Sequence, residues 1–315
     1  MRKKCLQRGI NSMNVNGKYY TTLTGDRLGN SKYSVELKGK IEEAGRLCLD
    51  NLQSNVFSPI MMMGNIQSGK TRAFIGLMSL CFDNDFDMTI ILTKCSTALV
   101  KQTVSRMTSE FDIFKFGNAT VGEIVAQDIL DIDFRGCTRM EEKETAVRQF
   151  LKRYKGKKRI IVVKKQADNV DRMNMFIEAI VKNGYYKRLL IVDDEADITS
   201  IGYEKTKGED ELSLRRISGA INTMRKSLHS NIEHVLMQVT ATPYALYLQP
   251  ENFSNASIMP IKPSRTVVLP TGEGYIGGQY YFIDSEDEQS INHHVAKYLP
   301  HIVNHDEMNI LIGSR

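Results

Sequence analysis

Short, mostly apolar runs alternate with stretches of helical spacing along this chain, and this alternation limits its fold more than any other feature. Each run is four to six residues long, the length of a buried strand. The runs lie at residues 59–63, 88–92, 159–163, 189–192, 234–239 and 309–312. A strand that is apolar at successive positions has to be covered on both faces. We therefore predict an α/β fold in which a mostly parallel sheet carries helices on both faces.

Local signals mark the ends of several helices. Helical spacing is found over residues 35–52, and Ser96 is a good N-cap for a helix running to about residue 107. A further helix is expected to end at the C-cap pair Asn183-Gly184. Residues 211–228 also favour a helix, whereas residues 110–138 favour neither helix nor strand.

A glycine-rich loop follows the first apolar run and matches G-x-x-x-x-G-K-[ST] in full. Its glycines allow the backbone amides to point at phosphates, its lysine reaches the β- and γ-phosphates, and its threonine hydroxyl can bind magnesium. Because the loop lies between an apolar run and an amphipathic segment, we interpret it as a nucleotide-binding loop rather than a plain turn. We assign to it Gly64, Asn65, Ile66, Gln67, Ser68, Gly69, Lys70, Thr71 and Arg72, with ATP and magnesium as cofactors.

Acidic residues follow the fourth apolar run, in the segment Leu189-Leu190-Ile191-Val192-Asp193-Asp194-Glu195-Ala196-Asp197. Ligands bind at this end of the strands in α/β sheets. A magnesium ion on the phosphates needs one carboxylate, and a second carboxylate must orient and deprotonate the attacking water. Asp194 and Glu195 are placed for these two roles. Acids after a strand also occur as a solvated helix start, but the loop at Lys70 makes that the weaker interpretation.

The segment Thr240-Ala241-Thr242-Pro243 ends the fifth run. A hydroxyl-rich turn at this place can link a nucleotide site to a neighbouring lobe. Taken alone, the segment is better explained as a plain turn in which hydroxyls bond the backbone before a proline.

Together, GNIQSGKT, DDEAD and TATP resemble motifs I, II and III of superfamily-two helicases and translocases, and Ile91-Leu92-Thr93-Lys94 through Gln102 resembles motif Ia. The form of motifs I and II, with the later stretch Val267–Gly278, is similar to the Z-one domain family of helicase–endonuclease proteins. The resemblance covers roughly residues 55–315. It implies a RecA-like P-loop domain in which Lys70 and Glu195 are catalytic. It further implies that Thr71 and Asp194 hold magnesium and that Thr240 and Thr242 couple the site to nucleic acid.

The resemblance is incomplete after motif III. A helicase core has a second lobe that supplies an arginine finger, and no such segment follows Pro243. We interpret Arg215, Arg216 and Arg225 as the solvated face of the 211–228 helix. The sequence therefore leads us to expect either a fragment of a longer protein or a site completed by a partner, with slow ATP turnover by this chain alone.

Two functions remain open at this point. The first is an ATP-binding motor lobe of a nucleic-acid helicase or translocase, in a bacterial defence or restriction system, with ATPase activity. The second is a P-loop ATPase switch or sensor that acts on a protein partner without translocation. We expect a nucleic-acid partner, DNA before RNA, and the resemblance also allows for a partner protein from a defence system. A nuclease that uses the motor fold as a loader is a third class, but it needs a metal-dependent cleavage site that the sequence does not locate. Asp131 with Glu141, Glu142 and Lys143 mimics a metal-dependent nuclease pattern, but solvated charge explains it better.

Charge and composition set further limits. The net charge of +5 permits nucleic-acid binding without demonstrating it. The basic stretch 152–159 either contacts phosphate backbone or is a solvated helix end. The five cysteines are scattered without a Cys-x-x-Cys pair, which argues against disulfides and a cysteine zinc site. No apolar run approaches the ~20 residues of a membrane span, so we expect a cytoplasmic protein without membrane contact.

Composition also suggests where the chain divides. Residues 1–34 are polar and typical of an irregular arm, and residues 250–290 hold most of the prolines, as a linker does. We predict an N-terminal arm and helix over 1–54, a P-loop ATPase lobe over 55–250, and a linker with the beginning of a second lobe over 251–315.

Overall fold

A central sheet of seven parallel strands organises the computed structural model, and a separate two-stranded antiparallel sheet accompanies it. The residues that the structure describes are 12–25, 32–54, 57–65, 69–115, 121–184, 186–199, 203–205, 212–214, 216–229, 231–249 and 258–271. Residues 1–270 form one compact unit and residues 271–315 a second. Apart from Thr271, the second unit lies outside the described residues, as do the sixth apolar run and the start of a second lobe.

The strands and helices follow one another in the alternation that the sequence predicts. In chain order, the strands are β1 (Ile60–Met63), β2 (Met88–Thr93), β3 (Ile124–Asp128), β4 (Lys158–Lys164), β5 (Arg188–Asp194), β6 (Tyr203–Lys205), β7 (Leu212–Leu214), β8 (Glu233–Thr240) and β9 (Arg265–Val268). The helices are α1 (Lys18–Thr24), α2 (Val35–Ser54), α3 (Lys70–Asp83), α4 (Thr97–Phe111), α5 (Met140–Arg153), α6 (Ala167–Asn183), α7 (Ala196–Thr199), α8 (Arg216–His229) and α9 (Tyr244–Tyr247).

The spatial order of the large sheet is β3-β4-β2-β5-β8-β1-β9, and each neighbouring pair is parallel. Two hydrophobic clusters cover its faces. One joins alternate strand residues such as Leu190 and Val192 to α2, α3 and α4, and the other joins Leu189 and Ile191 to α5, α6 and α8. Because successive side chains of a strand point to opposite faces, an apolar run supplies both clusters at once. The predicted α/β fold, a parallel sheet with helices on both faces, is confirmed.

Two of the predicted helix ends are also confirmed. The Ser96 side chain accepts a hydrogen bond from the Leu99 amide at the start of α4, which continues to Phe111 rather than residue 107. Gly184 adopts the left-handed backbone conformation with φ 61° after α6, which is the conformation that ends many helices at a glycine.

The predicted irregular arm contains the helix α1, and tertiary contacts explain why. The carboxylate of Asp83, at the end of α3, accepts hydrogen bonds from the Tyr19 and Tyr20 amides at 3.0 and 2.7 Å. It caps a helix that has no cap of its own, and Tyr20 is buried in the core. Polar composition could not predict this, because the capping group lies far away in the sequence.

The structure departs from the sequence in three further places: one strand lies in a segment for which the sequence favours neither helix nor strand, and two predictions of local structure are wrong. Strand β3 lies in the segment 110–138, and its mixed pattern of buried and partly exposed residues hides the strand signal. The predicted helix 211–228 begins only at Arg216, because residues 212–214 pair with β6 instead. Strand β9 lies within the predicted linker but pairs with β1, so it extends the sheet of the predicted ATPase lobe beyond residue 250.

The interpretation of Arg225 as a solvated residue is also wrong. Its guanidinium is buried and donates to the carbonyl oxygens of Pro260 and Phe57, both at 2.7 Å. Burial lowers the pKa of Arg225 to about 10. This residue therefore ties α8 to the segments that enter β9 and β1. Arg216, by contrast, is exposed as expected, and Arg215 lies outside the described residues.

We predict that Gly17→Ala destabilises the protein by about 1–3 kcal/mol, the usual range for overpacking. A Cβ at Gly17 would lie 2.2 Å from Cγ of Asp83, whose carboxylate is held by the two tyrosine amides. Gly39→Ala is the matched control, because Gly39 lies on α2 with open space around it. That change is expected to stabilise the helix by up to about 1 kcal/mol. Chemical denaturation of both variants tests the packing of α1, and equal stability of the two would contradict it.

Candidate nucleotide-binding site

Three of the predicted motifs meet at one edge of the sheet. The glycine-rich loop follows β1, the acidic segment ends β5, and Thr240 ends β8, which lies between the other two strands. The register aligns Met63 with Thr240 and Asp194 with Val239. Since the strands are parallel, their carboxyl ends lie side by side although the sequence separates them widely. This is the edge at which α/β sheets bind ligands.

The described part of the loop shows how its chain turns into α3. Gly69 is the N-cap of α3 and has φ 89°, a left-handed conformation that glycine adopts without the steric cost of a side chain. Gly64 is buried, whereas Asn65, Gly69 and Arg72 are exposed and Thr71 is half-buried. Ile66, Gln67 and Ser68 lie outside the described residues.

The Lys70 side chain folds back over the loop. Its Nζ donates to the carbonyl oxygens of Gly64 and Asn65 at 3.2 and 2.8 Å. Burial lowers the pKa of Lys70, while the carboxylates of Glu195, Asp194 and Asp197 raise it. The predicted phosphate-binding lysine therefore lies within the electrostatic field of the predicted acidic motif.

Strand alternation separates the two adjacent aspartates. Asp194 continues the face of Leu190 and Val192, which belong to the same cluster as α3, the helix that follows the loop. Asp193 continues the opposite face, that of Leu189 and Ile191, and is almost fully buried. Only Asp194 is therefore on the side of the sheet that carries the loop helix.

Burial is the main cause of a raised pKa at Asp194, which reaches about 6. The negative charge of Glu195 also raises it, whereas Lys165 and Lys70 lower it. Ionisation of Asp194 at neutral pH therefore costs free energy in the folded protein. Such cost is common at sites that bind cations or perform chemistry.

Glu195 has an unusual backbone and a partly exposed side chain. Its φ of 53° is left-handed, which is uncommon for a residue other than glycine. Its Oε1 lies 3.5 Å from Nζ of Lys94, a residue of the segment that resembles motif Ia. The Glu195 side chain is 33% exposed, so water can reach the carboxylate.

Thr240 connects all three motifs through hydrogen bonds. Its carbonyl oxygen accepts from the Gly64 amide at 3.2 Å, and its hydroxyl donates to Oδ1 of Asp197 at 2.7 Å. The Thr242 hydroxyl donates to Oδ2 of the same carboxylate at 2.5 Å, and the Thr242 amide donates to the Thr240 hydroxyl. The TATP segment is thus more than a plain turn, since both of its hydroxyl groups donate hydrogen bonds to Asp197, the last acid of the DDEAD segment.

One site residue has no signal in the sequence. Lys165, immediately after β4, has a fully buried side chain whose Nζ lies 2.7 Å from Oδ1 of Asp193. The same Nζ donates to the carbonyl oxygen of Glu195 at 3.0 Å. A lysine that follows an apolar strand usually points to solvent, so the sequence alone could not identify this contact.

The basic stretch 152–159 divides between surface and core. Lys152, Arg153 and Lys155 are exposed. Arg159 is fully buried, where it contacts Gln127 and lies 4.5 Å from the centroid of the Phe150 ring. Neither predicted interpretation, backbone contact or solvated helix end, holds for Arg159.

Glu142, one of the residues of the nuclease-like pattern, has a structural role. The Glu142 carboxylate accepts from the amides of Thr138 and Arg139 and so caps the start of α5. In the part of the chain that the structure describes, no group of three or more His, Cys, Asp or Glu side chains is arranged to hold a metal by itself. Likewise, none of the helices within those ranges has the length and apolar character needed to cross a bilayer.

Comparisons with known proteins find similarity of fold at long distance. No protein-family model matches the chain, and no curated protein matches it. Among solved structures, the Hef helicase domain of Pyrococcus furiosus is 14% identical, with a TM-score of 0.37, over 72% of this chain and 36% of that one. The DUF1998 helicase MrfA is 14% identical, with a TM-score of 0.38, over 77% and 34%. The DNA-bound Type ISP restriction-modification enzyme LlaBIII is 15% identical, with a TM-score of 0.44, over 76% and 15%. The chain thus spans about a third or less of each of these proteins.

We predict that Asp194→Asn stabilises the protein at pH 7 by roughly 1–2 kcal/mol, less than the full pKa difference because solvent partly screens the group. The folded-state pKa of about 6 exceeds the usual 3.8, so ionisation of Asp194 penalises the folded state above pH 6. The penalty falls as pH drops through 6 and vanishes below 3.8. The advantage of the asparagine variant should therefore shrink over this range. Urea denaturation of both proteins at several pH values tests this, and a constant difference would refute it.

Proposed function

We propose that this chain is the ATP-binding lobe of a nucleic-acid helicase or translocase, with ATP and magnesium as cofactors. The observation that carries the proposal is the meeting of three motifs at one sheet edge. Lys70 follows β1, Asp194 and Glu195 follow β5, and Thr240 ends the strand between them. Residues with the chemistry of phosphate binding, metal binding and proton transfer are thereby brought together by the fold.

The loop supplies the phosphate contacts in this proposal. The left-handed Gly69 allows α3 to begin directly after the loop, and the amides of the first turn of α3 would donate to the phosphates. Lys70 would exchange the carbonyl oxygens of Gly64 and Asn65 for phosphate oxygens. This exchange replaces neutral acceptors with charged ones, which form stronger hydrogen bonds.

The Thr71 hydroxyl and the Asp194 carboxylate would hold magnesium. Magnesium in nucleotide sites binds one or two carboxylates together with substrate phosphates, and this donor set fits that pattern. Magnesium–ATP, when bound, supplies the electrophilic phosphorus. Asp194 then gains a cation that offsets the cost of its ionisation.

Glu195 would accept the proton of the attacking water. Its side chain is accessible to water, and its carboxylate belongs to the cluster of charges around Lys70. Lys94 pairs with it at 3.5 Å and restricts the directions in which the carboxylate points. A base has to lie within hydrogen-bond reach of the proton it removes, so this restriction matters for rate.

We predict that Glu195→Gln binds ATP with unchanged affinity but hydrolyses it about 10²–10³-fold more slowly. Glutamine preserves the shape of the side chain but cannot take the proton. Single-turnover hydrolysis with enzyme in excess of ATP measures the rate even where steady-state turnover is slow. Calorimetric titration gives the affinity.

Lys70→Ala is the matched control for binding, and it should abolish tight ATP binding as well as hydrolysis. If Glu195→Gln hydrolyses ATP at the wild-type rate, Glu195 is not the base. If Lys70→Ala binds ATP as the wild type does, the whole nucleotide-site assignment is wrong.

A switch or sensor that acts on a protein partner is the second candidate, and one surface feature favours it. Directly after Thr242, the side chains of Tyr244 and Leu248 on and beside α9 are 77% and 83% exposed. Exposed large apolar residues beside a nucleotide site are suited to a protein contact. The motor remains the preferred proposal, because it also accounts for the resemblance of three ordered motifs.

Nucleic acid distinguishes the two candidates. For the motor, we predict that this chain alone hydrolyses ATP slowly even with DNA, and that single- or double-stranded DNA accelerates hydrolysis once a second lobe or partner is added. For the switch, DNA should leave the rate unchanged and a protein partner should alter it. The comparison uses single-turnover rates with DNA, with RNA and with neither. Stimulation by RNA alone would keep the motor but overturn the preference for DNA.

The finer parts of the proposal depend on the motif resemblance. They are the relationship to the Z-one domain family, the role in a bacterial defence or restriction system and an arginine finger from a second lobe. The proposed cytoplasmic location rests instead on the sequence, in which no apolar run reaches the length of a membrane span. Thr240 and Thr242 are proposed as the residues that couple ATP hydrolysis to nucleic acid.

A further inference from the structure

A buried ion pair lies directly behind the proposed base. The Lys165 and Asp193 side chains are 0% and 2% exposed, and their charged atoms are 2.7 Å apart. Removing two charges from water is expensive, and well-packed apolar residues are often as stable as the pair that they replace. Stability alone is therefore a weak reason for a lysine and an aspartate at these positions.

The lysine makes a second contact that points to another role. Its Nζ donates to the carbonyl oxygen of Glu195 at 3.0 Å. Among the described residues other than glycine, only Asp85 and Glu195 have positive φ. Asp85 lies in the turn after α3, where such a conformation is common, whereas Glu195 lies between a strand and a helix. The lysine thus holds the backbone of a residue whose conformation is strained.

The main chain of Lys165 is also fixed. Its amide donates to the carbonyl oxygen of Thr93, at the end of β2, with a distance of 2.9 Å. Strand β2 lies between β4 and β5 in the sheet, so the side chain reaches across its end. Both ends of the lysine are therefore anchored, one to β2 and the other to the acidic segment of β5.

We infer that Lys165 is a positioning residue, which keeps Glu195 in its left-handed conformation and so directs its carboxylate, while Asp193 orients the lysine. This inference rests on the proposed function, because it assumes that Glu195 is the base. The described contacts of the Lys165 ammonium group are with the main chain of Glu195 and the carboxylate of Asp193, so the lysine acts through Glu195. Misplacement of a catalytic group by about 1 Å can reduce a rate ~10²-fold, so the contact can matter as much as a reacting group.

A double variant separates positioning from stability. Lys165→Met alone removes the cation that lies 2.7 Å from the buried Asp193 carboxylate and should lower the melting temperature. Lys165→Met with Asp193→Leu removes both charges and should restore the melting temperature close to that of the wild type. If Lys165 positions Glu195, the double variant should still bind ATP with wild-type affinity but hydrolyse it ~10–100-fold more slowly in a single turnover.

The buried Arg159 provides a matched control. Its guanidinium contacts Gln127 in the core and makes no contact with the acidic segment. Arg159→Met with Gln127→Leu therefore removes a buried cation and its partner without touching Glu195. This variant should hydrolyse ATP at the wild-type rate, and equal slowing in both double variants would overturn the inference in favour of general loosening.

The outcomes distinguish this inference from the proposed function. A wild-type rate in the Lys165 double variant, with Glu195→Gln inactive, overturns the inference alone. A wild-type chain that does not hydrolyse ATP even with a second lobe or partner added, or an active Glu195→Gln variant, overturns the proposed function and the inference with it. If the double variant does not fold, Asp193→Asn replaces it, because it leaves the lysine and an acceptor in place. That variant should keep a near wild-type rate, and a loss as large as that of Glu195→Gln would overturn the inference.

Discussion

The parallel pairing of β5, β8 and β1 is the constraint on which the candidate site depends. Each of these strands is buried along most of its length, so each has to lie inside the sheet. Parallel direction then brings their carboxyl ends to a common edge. Met63 aligns with Thr240, and the Gly64 amide continues the ladder by donating to the Thr240 carbonyl. The glycine-rich loop and the hydroxyl-rich turn are therefore joined by the sheet itself, before any ligand is considered.

The adjacent residues Asp193 and Asp194 point to opposite faces of the sheet and so have different surroundings. A shift of one residue in a strand exchanges its two faces. Asp194 is on the face of the loop helix α3, where burial raises its pKa to about 6, and Asp193 is on the opposite face, where Lys165 neutralises it. Asp194 is the residue that we propose as a magnesium ligand, whereas Asp193 pairs with Lys165. The doubled aspartate of the DDEAD segment is thus explained by the geometry of one strand.

The sequence predicted those elements that are determined by residues close to one another along the chain. The apolar runs of β1, β2, β4, β5 and β8 and the cap residues Ser96 and Gly184 belong to this group, and so does the loop that contains Lys70. Features whose cause lies elsewhere in the chain were missed. The helix α1 depends on Asp83, strand β9 depends on pairing with β1, and Arg225 is buried because Phe57 and Pro260 accept its hydrogen bonds. Charged residues are the hardest case, because the sequence gives their charge but not the partner that makes burial tolerable.

Glu195 has attachments on both sides, and one of them connects the turn after β8 to the proposed base. On one side, Lys165 fixes its carbonyl oxygen. On the other, Asp197 in α7 accepts hydrogen bonds from Thr240 and Thr242, and the neighbouring Ala196 packs with Leu246 of α9. Because α7 follows Glu195 directly, any displacement of the turn after β8 acts on the short helix next to the base. Lys165 is anchored to β2 through its amide and to the acidic segment of β5 through its ammonium group, so Glu195 lies between two attachments to different parts of the sheet.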